Sequence, residues 1–389
     1  MRIVSFSNTY RPTVSGVVTS IDSFKLGLQN AGHDVHVIAP EHSGYIDSEP
    51  YIYRLPSLDL PGELNFSLAL PLKSRISVLI EGIKPHIIHC QHPFLTGDLA
   101  ASFAKEMDIP LVYTFHSRYD IITQRYIPAI AEIADLVVDD MLDRFFSKCE
   151  LIIAPTPTIK NFIMKNYNPK AMIQVIPTPV NLDHYCDETK IKQLHTASHI
   201  DGKQVLLYIG RLAREKNLDF LMTVFALIQT KLPDTILILV GGGPDRERLE
   251  NLADKLKIRS SLIITGFVDH AVIGCYASLA DIFVFPSDSE TQGLVLLEAM
   301  AAGVPAVAVR APGCEDVLND GGGLLVPLDK QIFSDAVIEL LSDRNRRMQL
   351  SRDALITAAR YSLPVITDKL IQAYEMAIVR HNALNPNNQ

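Results

Sequence analysis

The chain has no C-x-x-C pair, no D-x-D carboxylate pair, no G-x-G-x-x-G loop, no long basic block and no long apolar run. Each absence removes a class of protein. Its five cysteines (Cys90, Cys149, Cys186, Cys275, Cys314) are scattered and odd in number, a spacing that predicts neither a disulfide framework nor a zinc site and fits a reducing cytosol. Without a D-x-D pair no catalytic metal is expected; His33, His36, His86, His89 and His92 lack metal spacing with a matched carboxylate and read as structural. The missing glycine fingerprint, which Gly241-Gly242-Gly243-Pro244 does not supply, argues against a dinucleotide oxidoreductase. No apolar run reaches the ~20 residues that cross a bilayer, so any membrane contact is expected to be peripheral. The opening strand stops at Ser7 and Asn8, short of a signal-peptide core, and a cytoplasmic location is the expectation. Lys plus Arg total 36 against 44 Asp plus Glu, a net charge of −8, and nucleic acid is not an expected partner.

What the chain does have is length and regular alternation. At 389 residues it fits two ordinary domains, and 48% hydrophobic content leaves each able to bury a core. Short β-branched runs alternate with segments of helical period, the pattern of a doubly wound α/β protein whose parallel sheets are covered on both faces. Strands are predicted at 2–6, 34–39, 86–89, 111–115, 151–154 and 173–176, then at 205–209, 235–240, 261–265, 282–286 and 306–309. A polar, poorly patterned stretch at 187–202 separates the two runs. The expected domains are 1–180 and 181–363, with a terminal helix at about 364–382 packing back on the first. Val17, Val18, Ile21, Phe24 and Leu28 share one face of the first helix, with Gly32 at its C-terminal cap.

Three stretches carry chemistry. Residues 287–303 follow a buried strand and turn into a helix whose free N–H groups, around Gly293 and Leu294, form an anion site. Glu290 lies in the loop and Glu298 about two turns into the helix, suited to hydroxyl groups at two ends of one ligand; alternatively Glu290 favours the helix dipole and Glu298 is a solvated helix residue. Residues 210–217 place Arg211 and Lys216 at a strand's carboxyl end, where they would neutralise a diphosphate, unless this is an ordinary basic loop paired with Glu215. Residues 12–16 make a turn before the first helix in which Gly16 could admit a phosphate or sugar or could be purely structural. His116 ends a strand at the same carboxyl edge, where a ligand contact and a structural role are evenly matched.

Taken together and in this order, these residues resemble the retaining glycosyltransferases of family 4. Glu290 and Glu298 look like that family's E-x7-E element, residues 210–217 its G-R-L-x-x-E-K-x element, and residues 12–16 its N-terminal glycine loop. The resemblance implies the GT-B fold, two facing Rossmann-like domains with a deep interdomain cleft that closes over the donor. It implies that Arg211 and Lys216 clasp the diphosphate of a nucleotide-sugar donor, that Glu290 contacts the transferred sugar, and that Glu298 binds the ribose. Gly293 and Leu294 would offer amides to the phosphates, Val268 would border the base, and His116 would stand beside the sugar. Such enzymes commonly need no metal or cofactor and retain anomeric configuration by front-face attack, with the leaving phosphate as base.

Gln292, where many members have Phe, resembles members that glycosylate diacylglycerol or related lipids, as does the stretch 117–127, although Arg118, Gln124 and Arg125 depart from that pattern. A lipid acceptor at the inner face of the cell membrane is the resulting expectation, with Phe66, Tyr119 and Tyr126 as acceptor-side candidates. The segment 58–72 is apolar enough to line a groove or dip into an interface, or to pack as an edge strand. Glucose from UDP-glucose is the expected sugar. The rivals are the same chemistry on a soluble or polysaccharide acceptor, a nucleotide-sugar epimerase on a similar fold, and a binding protein that keeps the donor site without turnover.

Overall fold

Continuous runs of Val, Ile, Leu and Phe build two wholly parallel sheets, seen in a computed structural model that describes the chain except for residues 61–65, 71, 127–130, 183–186, 199, 270–271, 289 and 386–389. The chain divides into unit 1, Met1–Pro179 with Leu363–Gln389, and unit 2, Val180–Ser362.

Unit 1 contains β1 (Arg2–Phe6), β2 (Asp34–Pro40), β3 (Ile52–Leu55), β4 (Ser57–Leu60), β5 (Phe66–Ala69), β6 (Ile87–Cys90), β7 (Leu111–Thr114), β8 (Leu151–Ala154) and β9 (Met172–Val175). Seven of these form a sheet in the order β3-β2-β1-β6-β7-β8-β9 with every neighbouring pair parallel. Every residue of β6, β7 and β8 is buried, which is why these strands are apolar without alternation. β4 and β5 pair antiparallel in a separate hairpin, so the segment 58–72 contains a small sheet in which Leu58 is exposed and Ser67 and Ala69 are buried.

The first helix, Gly16–Asn30, begins where the Ser15 side chain accepts from Val18 N, and it buries Val18, Ile21, Phe24 and Leu28. The last helix, Leu363–Leu384, supplies Ile366, Leu370, Ala373, Tyr374 and Ala377 to the cluster that holds Ile3, Phe24, Leu28 and Val35. Burying each of the larger of these side chains stabilises the unit by ~1.5–3 kcal/mol. The two helices meet at Gly27, where an added Cβ would lie 2.0 Å from Thr367 Oγ1.

Unit 2 contains β10 (Gln204–Ile209), β11 (Thr235–Val240), β12 (Leu262–Gly266), β13 (Ile282–Phe285), β14 (Ala306–Val309) and β15 (Gly323–Val326), in the order β12-β11-β10-β13-β14-β15 and parallel throughout. Its two ends meet, Val180 N donating to Tyr361 O at 2.8 Å. The polar stretch 187–202, poorly patterned in sequence, carries the helix Glu188–Ala197, capped by Asp187. Cys90, Cys149 and Cys314 are free and buried, whereas Cys275 is disulfide-bonded, which cysteine spacing did not predict.

Candidate active site

In unit 2 the strand order reverses between β10 and β13, whose connections leave toward opposite edges of the sheet, and the carboxyl ends of strands at such a point are where open α/β sheets bind ligands. Close backbone packing positions the loop after β10. Leu212 N donates to Gly242 O at 2.9 Å and Asp245 N to Leu212 O at 3.0 Å. Gly241 (φ +141°) and Gly243 (φ +159°) make this possible, since a Cβ on either would stand 2.0 Å from Gly210 O or 2.3 Å from Leu212 O. The loop carries Arg211 into a short turn, Arg214–Lys216, that ends in left-handed Asn217. Asn217 Nδ2 donates to Pro286 O at 3.3 Å, tying this loop to the one after β13.

That tie brings Lys216 and Glu290 together. Lys216 Nζ donates to Glu290 Oε1 at 2.5 Å, and Ser287 Oγ donates to the same oxygen at 3.0 Å. Both side chains are mostly buried, at 23% and 18% exposure. Burial pushes the Glu290 carboxyl up, but the Lys216 ammonium and the hydrogen bonds from Lys216 and Ser287 outweigh it and hold the group below the usual carboxylate range. Glu290 is therefore a carboxylate at neutral pH, an acceptor of hydroxyl protons and not a proton donor.

The acidic loop rests on the helix Pro312–Leu318: a Cβ on Gly313 would come within 2.7 Å of Glu290 O and 2.8 Å of Gln292 N. Gln292 is buried. Left-handed Gly293, which has no side chain to cap it, starts the helix Leu294–Ala301, so its first N–H groups and dipole face the same strand end. Because the helix begins only at Leu294, Glu298 is its fifth residue, little more than one turn in and not the two turns anticipated from sequence. Glu298 is partly buried. Val268, two residues beyond β12, packs partly buried on the unit 2 core, next to the exposed ring of Phe267.

Unit 1 holds the remaining candidates. Gly16 is the first residue of its helix, and an added Cβ there would meet nothing within 4 Å, so no protein contact demands glycine. His116 follows β7, and its Nε2 is 2.8 Å from Gln91 Oε1. Burial, with smaller contributions from His92 and His89, drives the His116 pKa well below its ordinary value and keeps the ring neutral. The Tyr119 ring lies edge-on to Phe94 at 5.4 Å and packs against the unit 1 core. The side chains of Phe66 and Tyr126, and residue 127, lie outside the described residues.

The motifs gave the cations, the acids and the helix start. Ser287 and Asn217 lie within those motifs, but the contacts that Asn217, Gly313 and Gln91 make with Pro286, Glu290 and His116 join residues remote in sequence and were not given; the Pro312-Gly313 pair after β14 was the one local hint. Among the described residues, no cluster of three or more His, Cys, Asp or Glu could hold a metal ion, and no helix is long and apolar enough to cross a membrane.

A carboxylate, an ammonium and a helix start at one strand end suit a ligand that joins hydroxyl groups to phosphate. Comparison with known proteins agrees. The family model for Glycosyltransferase Family 4 matches residues 14–184, and that for Glycosyl transferases group 1 matches residues 190–356. An alpha-monoglucosyldiacylglycerol synthase of Acholeplasma laidlawii is 28% identical over 398 residues, covering 98% of each chain. One from Streptococcus pneumoniae is 30% identical over 329 residues, 82% of this chain and 74% of its own. Sucrose-phosphate synthase from Thermosynechococcus elongatus superposes with a TM-score of 0.82 at 20% identity, over 97% of this chain and 99% of its own. The chain is thus a glycosyltransferase, a member of family 4 with the GT-B fold.

Proposed function

We propose that this enzyme transfers glucose from UDP-glucose to the free hydroxyl of a diacylglycerol, with retention of the anomeric configuration. The observation that carries the reading is the Lys216–Glu290 pair at the β10/β13 strand ends, on a chain that aligns over nearly its whole length with a monoglucosyldiacylglycerol synthase. Lys216 and Arg211 neutralise the negative charge that grows on the departing diphosphate, and the amides of Gly293 and Leu294 bind its oxygens. Glu290, ionised and anchored through Oε1, accepts hydrogen bonds from the sugar. Glu298 takes the ribose, and Val268 borders the base. His116, a neutral ring, meets a sugar hydroxyl. No protein base is assigned: the leaving phosphate takes the proton of the attacking hydroxyl on the same face of the sugar, and no cofactor or metal is invoked.

The lipid acceptor is supported by Gln292 and by an exposed apolar stripe of Ile133, Leu136, Val137 and Met141 on the helix Ala131–Phe146 of unit 1. Phe66, Tyr119 and Tyr126 remain the acceptor-side candidates, and the working location is the cytoplasmic membrane surface. Proton NMR of the purified glycolipid tests the chemistry: an axial anomeric linkage matching the donor is expected, and an inverted linkage overturns the retaining mechanism.

A further inference from the structure

Unit 1 has a switch point of its own, between β1 and β6, and a histidine stands there that the roles assigned above do not use. Asn8 follows β1, His92 follows β6, and Asn8 N donates to His92 Nδ1 at 3.1 Å. A peptide N–H can only donate, so Nδ1 must present its lone pair, and the neutral ring then carries its proton on Nε2. Ser7 Oγ, 3.4 Å from the same nitrogen, gives its own proton to Thr9 O at 2.6 Å and does not reverse the assignment. Burial lowers the His92 pKa to about 4, and the neighbouring rings of His89 and His116 are likewise kept neutral by burial.

The ring is also held in place. Asn8 Oδ1 accepts from Thr96 N at 3.1 Å and Thr96 Oγ1 at 2.7 Å, and Asn8 Nδ2 donates to Phe94 O at 3.0 Å, fixing the loop on both sides of His92. Cys90 Sγ donates to His92 O at 2.6 Å, and the same carbonyl lies so near Gly97 that a Cβ there would sit 2.2 Å away. Among the described residues Nε2 meets no acceptor. A rigid, oriented donor at a sheet's switch point is a part that a polar ligand completes.

We propose that His92 donates a hydrogen bond from Nε2 to a hydroxyl oxygen of the substrate, which makes it a second substrate-contacting histidine beside His116. The inference rests on the chain being a glycosyltransferase and not on glucose or diacylglycerol in particular.

The test compares two variants with wild type on whichever of UDP-glucose, UDP-galactose and GDP-mannose the wild type turns over, with diacylglycerol micelles and with water as acceptor. His92→Asn keeps an oxygen for Asn8 N–H and deletes the Nε2 donor; His92→Gln offers an amide N–H near the Nε2 position. A roughly five- to tenfold fall in kcat/KM is expected for H92N at unchanged Tm, with partial recovery in H92Q. The rise falls on the donor KM if the oxygen belongs to the sugar donor, and on the acceptor KM if it belongs to the acceptor. Wild-type kcat/KM in H92N, or an H92Q no better than H92N, overturns the proposal. Imidazole ¹⁵N–¹H correlation decides independently of any turnover: the spectrum lost in H92N must be that of an Nε2-protonated ring, and an Nδ1-protonated one refutes it. Which donor the wild type accepts bears only on the glucose reading.

Discussion

Lys216 and Glu290 are 74 residues apart in sequence and share a hydrogen bond because two strand-end loops are laced by Asn217. Lys216→Ala deletes the cation aimed at the diphosphate and leaves Glu290 with Ser287 as its remaining donor of the two described. Loss of one preorganised electrostatic contact costs kcat/KM ~10²–10³-fold, whereas stability falls by no more than about 1.5–3 kcal/mol, the worth of a charged hydrogen bond. Steady-state kinetics beside thermal unfolding separates the two; equal proportional losses would mean that the pair is structural. The lowered Glu290 pKa has a definite sign. Its stabilisation is complete above the ordinary value of 4.5 and is lost as pH falls through the lower folded value. Glu290→Gln should therefore lower stability at neutral pH and flatten the acid dependence of unfolding below pH 4.5, a difference that denaturant titrations at several pH values will read.

At the level of elements, two glycines that look alike in sequence behave differently. Gly241→Ala would force a Cβ to 2.0 Å from Gly210 O at φ +141°, with an expected loss of about 2–4 kcal/mol and of the Arg211 loop's position. Gly16→Ala meets open space in a helix's first turn, so stability should hold or rise by up to ~1 kcal/mol. A fall in kcat/KM for that variant would mark Gly16 as a place where substrate approaches; unchanged kinetics would return it to a structural role. The same contrast explains what could be read in advance. β11, β13 and β14 are unbroken buried apolar runs and were visible as strands. β3, a half-buried edge strand containing Arg54, and β15, an edge strand opening on Gly323, were not. The helix Glu188–Ala197 was hidden because it carries so few apolar residues that its period does not show. The cations and acids were legible as motifs, but the Asn8–His92 and Gly313–Glu290 contacts depend on the sheet order and have no local signature.

Across the whole molecule, histidines that burial holds neutral set the response to acid. The pKa values of His89, about 3, and His92, about 4, are lowered by burial, and that of His116 lies well below its ordinary value for the same reason. Each contributes stability that is present above 6.5 and lost as pH falls toward its folded value. His381 has the opposite sign. Burial lowers it, but Glu150 at 2.9 Å and Asp108 at 3.2 Å outweigh burial and raise its pKa, so its contribution is full below 6.5 and fades as pH rises. Burial lowers His33, His36 and His86 as well, so with six histidines against one Tm should drop steadily from pH 6.5 to 4; a flat profile would contradict the neutral assignment. The last helix belongs to unit 1's core through Ile366, Leu370 and Tyr374, so truncation after Ser362 should abolish cooperative folding of that unit, as followed by circular dichroism. What the enzyme makes is the decisive property. Mass spectrometry of the lipid phase after incubation with UDP-glucose, UDP-galactose or GDP-mannose, each with and without diacylglycerol micelles, tests it most directly. The expected result is a diacylglycerol carrying one hexose, formed from UDP-glucose. Nucleotide release with no glycosylated lipid, or a lipid product from another donor alone, would contradict it.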